Sequence, residues 1–204
     1  MERPGKIVCV GRNYREHAKE MGNDVPAEPL LFLKPPSCVI ASGAPIELPA
    51  AAGRVDYEGE VGIVIGARLR KATPEASAAA VRGIVAANDV SARDWQKNDG
   101  QWARAKGSDT FLPLGNESRS PRDLAALTVV TRLNGDERQR ASTAELVFPI
   151  PVLLAYISRF ITLEPGDLVL TGTPSGVGPL NAGDVVEVEI AGHSMVRSPV
   201  TASA

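Results

Sequence analysis

A chain of 204 residues can build one substantial core, and 44% hydrophobic, 23% charged and 4% aromatic residues with 19 Gly and 16 Pro describe a turn-rich globular protein, not a disordered or fibrous one. A formal charge of -2 and a sequence pI near 5.8 provide no global positive field for a nucleic acid or an anionic membrane surface, so small molecules are the expected partners. No run approaches the ~18 apolar residues of a membrane span and the N-terminus lacks a signal-peptide pattern, so a cytoplasmic location is expected.

Residues 6 to 10 read as a strand that Gly11 lets turn, and residues 13 to 21, opening on a capping-type Asn13, read as a short helix. That helix places His17 and Glu20 three apart, on one side. Residues 22 to 53, with Pro26, Pro29, Pro35, Pro36, Pro45 and Pro49 around Leu30 to Lys34, fit an extended loop and edge strand. Cys9 and Cys38 have no metal-type spacing and are expected as buried small hydrophobes without a disulfide.

The next segments are predicted as a strand over 60–66, a helix over 74–82 with Pro at its first turn, and a strand over 83–89 ending in Asn88-Asp89. Residues 91 to 109 are polar, carry two Trp and lack a clean period, which predicts a functional loop. A strand at 128–133, an Asn134-Gly135 hairpin turn and a returning polar strand follow. The last quarter repeats Pro/Ala-Gly-Asp before apolar strands at 165–170 and 182–190. The fold class is therefore β-rich, in one domain spanning 1–204.

Asp56, Glu58 and Glu60 alternate into an apolar run, so as one strand they would crowd three charges on one face and require compensation. With Asp89 at the end of a later strand, Glu58 and Glu60 could converge on a hard divalent cation through oxygen ligands alone. Mg²⁺ is the natural occupant, with Mn²⁺ or Ca²⁺ as alternatives. The competing reading is an acidic solvent face with Asp89 capping a turn. Asp56 could be a ligand in place of Glu60, a group behind the ligands, or part of the preceding loop.

His17 beside Glu20 could form a general acid/base pair, against the alternative of ordinary ionic residues on a surface helix. The other histidine, His193, lies in a terminal turn between Gly192 and Ser194. Lys106, Arg93 and Gln96 would suit an anionic oxo acid. The segment Thr-Gly-Thr-Pro-Ser-Gly-Val-Gly-Pro lacks the Gly-Lys-Ser/Thr ending of a phosphate loop, and no Gly-x-Ser-x-Gly is present.

Six pieces follow in order along the chain: Gly-Arg-Asn-Tyr-x-x-His-Ala-x-Glu at 11–20, Phe-Leu-Lys-Pro at 32–35, Glu-Gly-Glu-Val at 58–61, Asn-Asp-Val-Ser-Ala-Arg-Asp-x-Gln at 88–96, Ala-Lys-Gly-Ser-Asp-Thr at 105–110 and Leu-Thr-Gly-Thr-Pro-x-Gly-Val-Gly at 170–178. Together they resemble the fumarylacetoacetate hydrolase family, in its short single-domain branch of acylpyruvases and oxaloacetate decarboxylases. The resemblance implies a mixed β-roll with a few short helices, a homodimer, and Mg²⁺ or Mn²⁺ held by Glu58, Glu60 and Asp89. It implies a lid over 11–25 carrying the catalytic pair His17 and Glu20, a catalytic Lys106, and substrate contacts from Arg12, Tyr14, Lys34, Arg93, Gln96 and Thr173. Asp56 is not a ligand in the family pattern.

The expected activity is cleavage of a C–C bond in an acylpyruvate-type 2,4-dioxo acid, with Glu20 drawing a proton from water and the cation stabilising the departing enolate. Oxaloacetate decarboxylation and isomerisation of a hydroxymuconate-type diacid pass through related enolates and are the alternative activities. The non-enzymatic alternative is a binding module with a structural cation.

Overall fold

Strand alternation gives way to complete burial where a sheet is covered on both faces, and residues 59 to 65 show this: all seven are buried. The computed structural model describes residues 3–20, 22, 24–119 and 123–202. The first half of the chain forms β1 (Ile7–Gly11), α1 (Arg15–Glu20), β2 (Leu30–Lys34), β3 (Val39–Ala41), β4 (Ile46–Leu48), β5 (Val55–Tyr57), β6 (Gly59–Ile65), α2 (Pro74–Ala79) and β7 (Val81–Asn88). It continues through β8 (Ser91–Ala92), α3 (Arg93–Asn98), α4 (Ala103–Gly107), β9 (Leu112–Leu114) and β10 (Ser118–Arg119). The second half adds β11 (Thr128–Leu133), β12 (Asp136–Ser142), α5 (Ile150–Phe160), β13 (Leu168–Leu170), β14 (Gly178–Pro179), β15 (Val185–Ile190) and β16 (Ser194–Ala202).

An eight-stranded mixed sheet runs in the order β2-β1-β13-β6-β7-β9-β3, with β10 also paired to β7. A five-stranded sheet, β12-β11-β15-β16-β4, packs on it, and a three-stranded sheet, β14-β5-β8, lies beside the site. Val61, Ile63 and Ile65 on β6 meet Val129 on β11, Val188 on β15 and the Leu153, Leu154 and Ile157 face of α5 in one apolar cluster. Residues 153, 154 and 157 recur at helical spacing, which is why α5 buries this face. A second cluster, with Ile7, Cys9, Cys38, Val85 and Leu170, fills another part of the core; both cysteines are free and buried.

The expected strands are present, with Asn134 and Gly135 both at positive φ (55° and 89°) in the β11–β12 hairpin. The segment 91–109 differs from its prediction: it holds β8, α3 and α4 rather than loop alone. α3 buries no residue completely, so it leaves no apolar period in the sequence; a cation–π contact between Arg104 and Trp95 (4.8 Å) ties it to α4. The helix expected over 13–21 runs Arg15–Glu20, and its expected end at Met21 lies outside the described residues, as does Asn23 of the 11–25 segment. The helix expected over 74–82 ends at Ala79, after which Val81 and Arg82 begin β7. The terminal turn at His193 leads into the nine-residue β16, which closes the five-stranded sheet against β4. Among the described residues, no helix is long and apolar enough to cross a membrane.

Candidate metal centre and active site

Asp56, Glu58 and Glu60 do not share one strand face. The chain changes sheets at Glu58: β5 pairs with β8 and β14, whereas β6 begins at Gly59 and pairs with β7 and β13. Asn88 Oδ1 accepts the Glu58 amide (2.9 Å) and Gln139 Oε1 accepts the Gly59 amide (3.0 Å). Asp56 turns toward arginines, accepting from Arg54 Nε (2.7 Å) and Arg93 Nε (2.8 Å). Glu58, Glu60 and Asp89 turn toward one another, and one carboxylate oxygen from each lies within 4.8 Å of the others. All three are buried.

The compensation comes largely from the chain itself. Lys106 Nζ donates to Glu58 Oε2 (2.7 Å) and Asp89 Oδ2 (2.8 Å), Lys34 Nζ to Asp89 Oδ1 (2.6 Å), and Arg93 Nη1 pairs with Glu58 Oε1 (2.7 Å). Burial by itself would raise the Glu58 carboxyl, but Lys106 and Arg93 outweigh it and hold it below the usual carboxylate range. Burial likewise opposes the Lys106 charge, yet Asp89 and Glu58 keep that ammonium above the ordinary lysine value. Glu60 has no cation in contact among the described residues; it accepts the Gly172 amide (2.7 Å). Burial, with Asp89 and Glu58 adding to it, pushes its carboxyl well above the usual value.

A buried set of three carboxylates that offers only oxygen donors, with Glu60 touched by no cation among the described residues, fits a hard divalent cation, and Glu58, Glu60 and Asp89 would hold it. Lys106 already occupies Glu58 and Asp89, so a cation there would compete with its ammonium for both.

The triad lies in the wall of a cavity of about 630 Å³ that Arg12, His17, Glu20, Arg93, Gln96, Lys106 and Thr173 also line. His17 Nδ1 is 3.1 Å from Glu20 Oε2, and Glu20 Oε1 accepts the Gly176 amide at 3.0 Å. α1 is thus docked against the loop after β13, with His17 buried and the Glu20 side chain 34% exposed. Arg93 Nη1 also donates to Gln96 Oε1 (2.9 Å), while Arg93 Nη2 is buried without a hydrogen-bond partner.

Two expected substrate contacts are placed elsewhere. Tyr14 does not line the cavity: it is 3% exposed and packs in the main apolar cluster, where its aromatic ring is better accommodated than at a polar wall. Lys34 does not line it either, because its ammonium is consumed behind the site by Asp89 and the Phe111 carbonyl (3.0 Å). Sequence reasoning missed Arg54, Lys97 and the apolar wall of Phe32 and Trp102, whose rings meet edge-on at 5.3 Å. A basic residue two before Asp56 is the signal that could have pointed to Arg54; nothing local marks the others.

Residues 6–201 match the family model described as fumarylacetoacetate (FAA) hydrolase C-terminal. The chain belongs to the fumarylacetoacetate hydrolase family. Its curled sheets and, among the described residues, five short α-helices match that C-terminal fold. The chain is 43% identical over 197 residues to the oxaloacetate tautomerase YcgM of Escherichia coli, covering 93% of this chain and 90% of that protein. It is 41% identical over 194 residues to the mitochondrial oxaloacetate decarboxylase of Dictyostelium discoideum, covering 92% and 89%. The structure of 5-carboxymethyl-2-hydroxymuconate delta-isomerase from Mycobacterium smegmatis superposes with a TM-score of 0.92 at 43% identity, covering 99% of this chain and 80% of that one.

Proposed function

We propose that this chain is a divalent-metal-dependent enzyme that moves the proton between the keto and enol forms of a short 2-oxo dicarboxylate of the oxaloacetate type. The observation that carries this reading is the position of the His17–Glu20 pair in the same cavity as the carboxylate triad, alongside Arg12 and Lys97, cations that form no ion pair among the described residues. A cation at the triad supplies Lewis acidity that stabilises negative charge on the 2-oxo oxygen. Glu20 takes the proton from the carbon beside the 2-oxo group in one direction and returns it in the other, with His17 beside it sharing the charge change. Lys106, Gln96 and the unpartnered Arg93 Nη2 hold the carboxylate next to the 2-oxo group, Thr173 lines the same wall, and Arg12 and Lys97 hold the distal one. α1 acts as the lid that excludes bulk water.

The named tautomerase and decarboxylase relatives support this reading over the acylpyruvate hydrolysis expected from the sequence. Hydrolysis stays as the second reading because Glu20 paired with His17 is also suited to activating water. A homodimer belongs to the same proposal, supported by Leu33 on the edge strand β2 and Phe160 on α5, 55% and 71% exposed.

The test compares oxaloacetate and acetylpyruvate with the Mn²⁺-loaded protein, following enol absorbance and assaying pyruvate. The proposal expects rapid enol–keto exchange of oxaloacetate, abolished in Glu20→Gln with Mn²⁺ affinity retained. Cleavage of acetylpyruvate to pyruvate without turnover of oxaloacetate would transfer the assignment to the hydrolase.

A further inference from the structure

β12 is a charged strand, Asp-Glu-Arg-Gln-Arg-Ala-Ser, and most of it is exposed; Gln139, at 1% exposure, is the polar residue it sends inward. A buried carboxamide is costly unless its hydrogen-bonding groups are used, and here they are. Gln139 Oε1 accepts the Gly59 amide (3.0 Å), and Nε2 donates to Thr173 Oγ1 (2.9 Å) and the Pro174 carbonyl (2.8 Å). The partners fix the orientation of the amide, since Gly59 N–H can only donate and Pro174 O can only accept. Thr173 Oγ1 closes the ring by donating to the Gly59 carbonyl (3.0 Å). Both backbone polar groups of Gly59 are therefore clamped by one glutamine and one threonine.

Gly59 is the residue between two carboxylates of the triad, so its peptide planes set the directions in which Glu58 and Glu60 project. The clamp reaches the other machinery too. The Thr173 loop supplies the Gly172 amide to Glu60 and the Gly176 amide to Glu20. The loop lies directly on the β12 backbone: a Cβ at Gly176, whose φ is +95°, would stand 2.1 Å from the Arg138 carbonyl oxygen. Gln139 pairs with Thr131 across the hairpin, and the register shifts immediately after that pair, a bulge of the kind that re-aims side chains.

We propose that Gln139 is a positioning residue that sets the geometry of the Glu58/Glu60 pair and of the loop that holds Glu60 and Glu20. This rests on the reading of Glu58, Glu60 and Asp89 as a cation site.

The test is Mn²⁺ titration of chelator-treated protein by calorimetry, with the EPR spectrum of bound Mn²⁺ and the thermal midpoint recorded in parallel. Wild type, Glu58→Gln, Gln139→Leu, Thr173→Val and the Gln139→Leu/Thr173→Val double variant are compared with Val129→Ala, a core truncation on the neighbouring strand. Gln139→Leu should weaken Mn²⁺ binding about 10- to 100-fold and alter the zero-field splitting of the spectrum, as loss of a group behind metal ligands does. The double variant should lose less affinity than the two single losses combined, because Gln139 and Thr173 belong to one ring of hydrogen bonds. Val129→Ala should lower the thermal midpoint and leave affinity and spectrum unchanged. Wild-type affinity in Gln139→Leu with lost affinity in Glu58→Gln would overturn the positioning role alone, as would an equal loss of affinity in Val129→Ala. Absence of Mn²⁺ binding by the wild type would overturn the cation site and the positioning role together.

Discussion

Lys34 neutralises Asp89 from behind the site: its Nζ stands 2.6 Å from Asp89 Oδ1, and both side chains are sealed from water. Removing one member of such a pair leaves a buried charge with less compensation, which typically costs about 3–5 kcal/mol. Lys34→Met should lower the unfolding free energy by roughly this amount. Lys106 still reaches Asp89, so the lower end of the range is expected. Asp89→Asn in the same chain should recover part of the loss, and urea denaturation of chelator-treated single and double variants measures both.

Glu60 makes the metal-free protein sensitive to pH. Burial, then Asp89 and Glu58, raise its folded-state carboxyl above the unfolded value, so its contribution to stability is fully present below the ordinary glutamate pKa and is lost as pH rises through the raised one. Glu58 has the opposite sign: held low, it contributes above the ordinary value and loses that contribution only in acid. Chelator-treated Glu60→Gln should therefore gain on wild type as pH rises from about 4 toward neutrality and match it in acid. Thermal melts across that range decide this; parallel curves would contradict it.

The glycine of Glu-Gly-Glu is demanded by space. A Cβ at Gly59 would lie 1.9 Å from Thr131 Oγ1, which is itself buried and without a hydrogen-bond partner. Gly59→Ala should destabilise by about 1–3 kcal/mol, as overpacking does, and weaken Mn²⁺ binding. Thr131→Ala removes the clashing oxygen without losing a hydrogen bond, so the double variant should recover much of both, as read by denaturation and metal titration.

Much of the site was legible only from six short motifs taken in order: the spacing of Glu58, Glu60 and Asp89 by itself left a cation site and an acidic solvent face both open. Asn134-Gly135, by contrast, announced its hairpin locally. What was not legible depends on distant contacts. The change of sheet at Glu58 is decided by partners in β8 and β14, so Asp56 could not be separated from the triad by alternation alone. Tyr14 and Lys34 sit in motifs shared with cavity residues, yet packing turns them into the core and behind Asp89. α3 leaves no period because it buries no face, and Gln139 sits among charged neighbours with nothing nearby to announce its inward turn.

Lys106 bridges the two carboxylates that a cation would share, so its charge opposes metal binding even though the proposed function also gives it a substrate carboxylate to hold. Lys106→Met should bind Mn²⁺ at least about tenfold more tightly, because it removes a positive charge that occupies two of the ligands and would repel the cation. Turnover of oxaloacetate should fall in the same variant. Calorimetry and steady-state kinetics on one preparation separate the two effects.

The most direct measurement is the rate of enol-to-keto conversion of oxaloacetate by chelator-treated protein before and after Mg²⁺ or Mn²⁺ is restored, in wild type and in Asp89→Asn. Conversion should be at background without the cation, return in the wild type when it is supplied, and fail to return in Asp89→Asn at the same cation concentration. Full conversion by the chelated wild type, or by Asp89→Asn, would contradict the carboxylate triad as the seat of the chemistry.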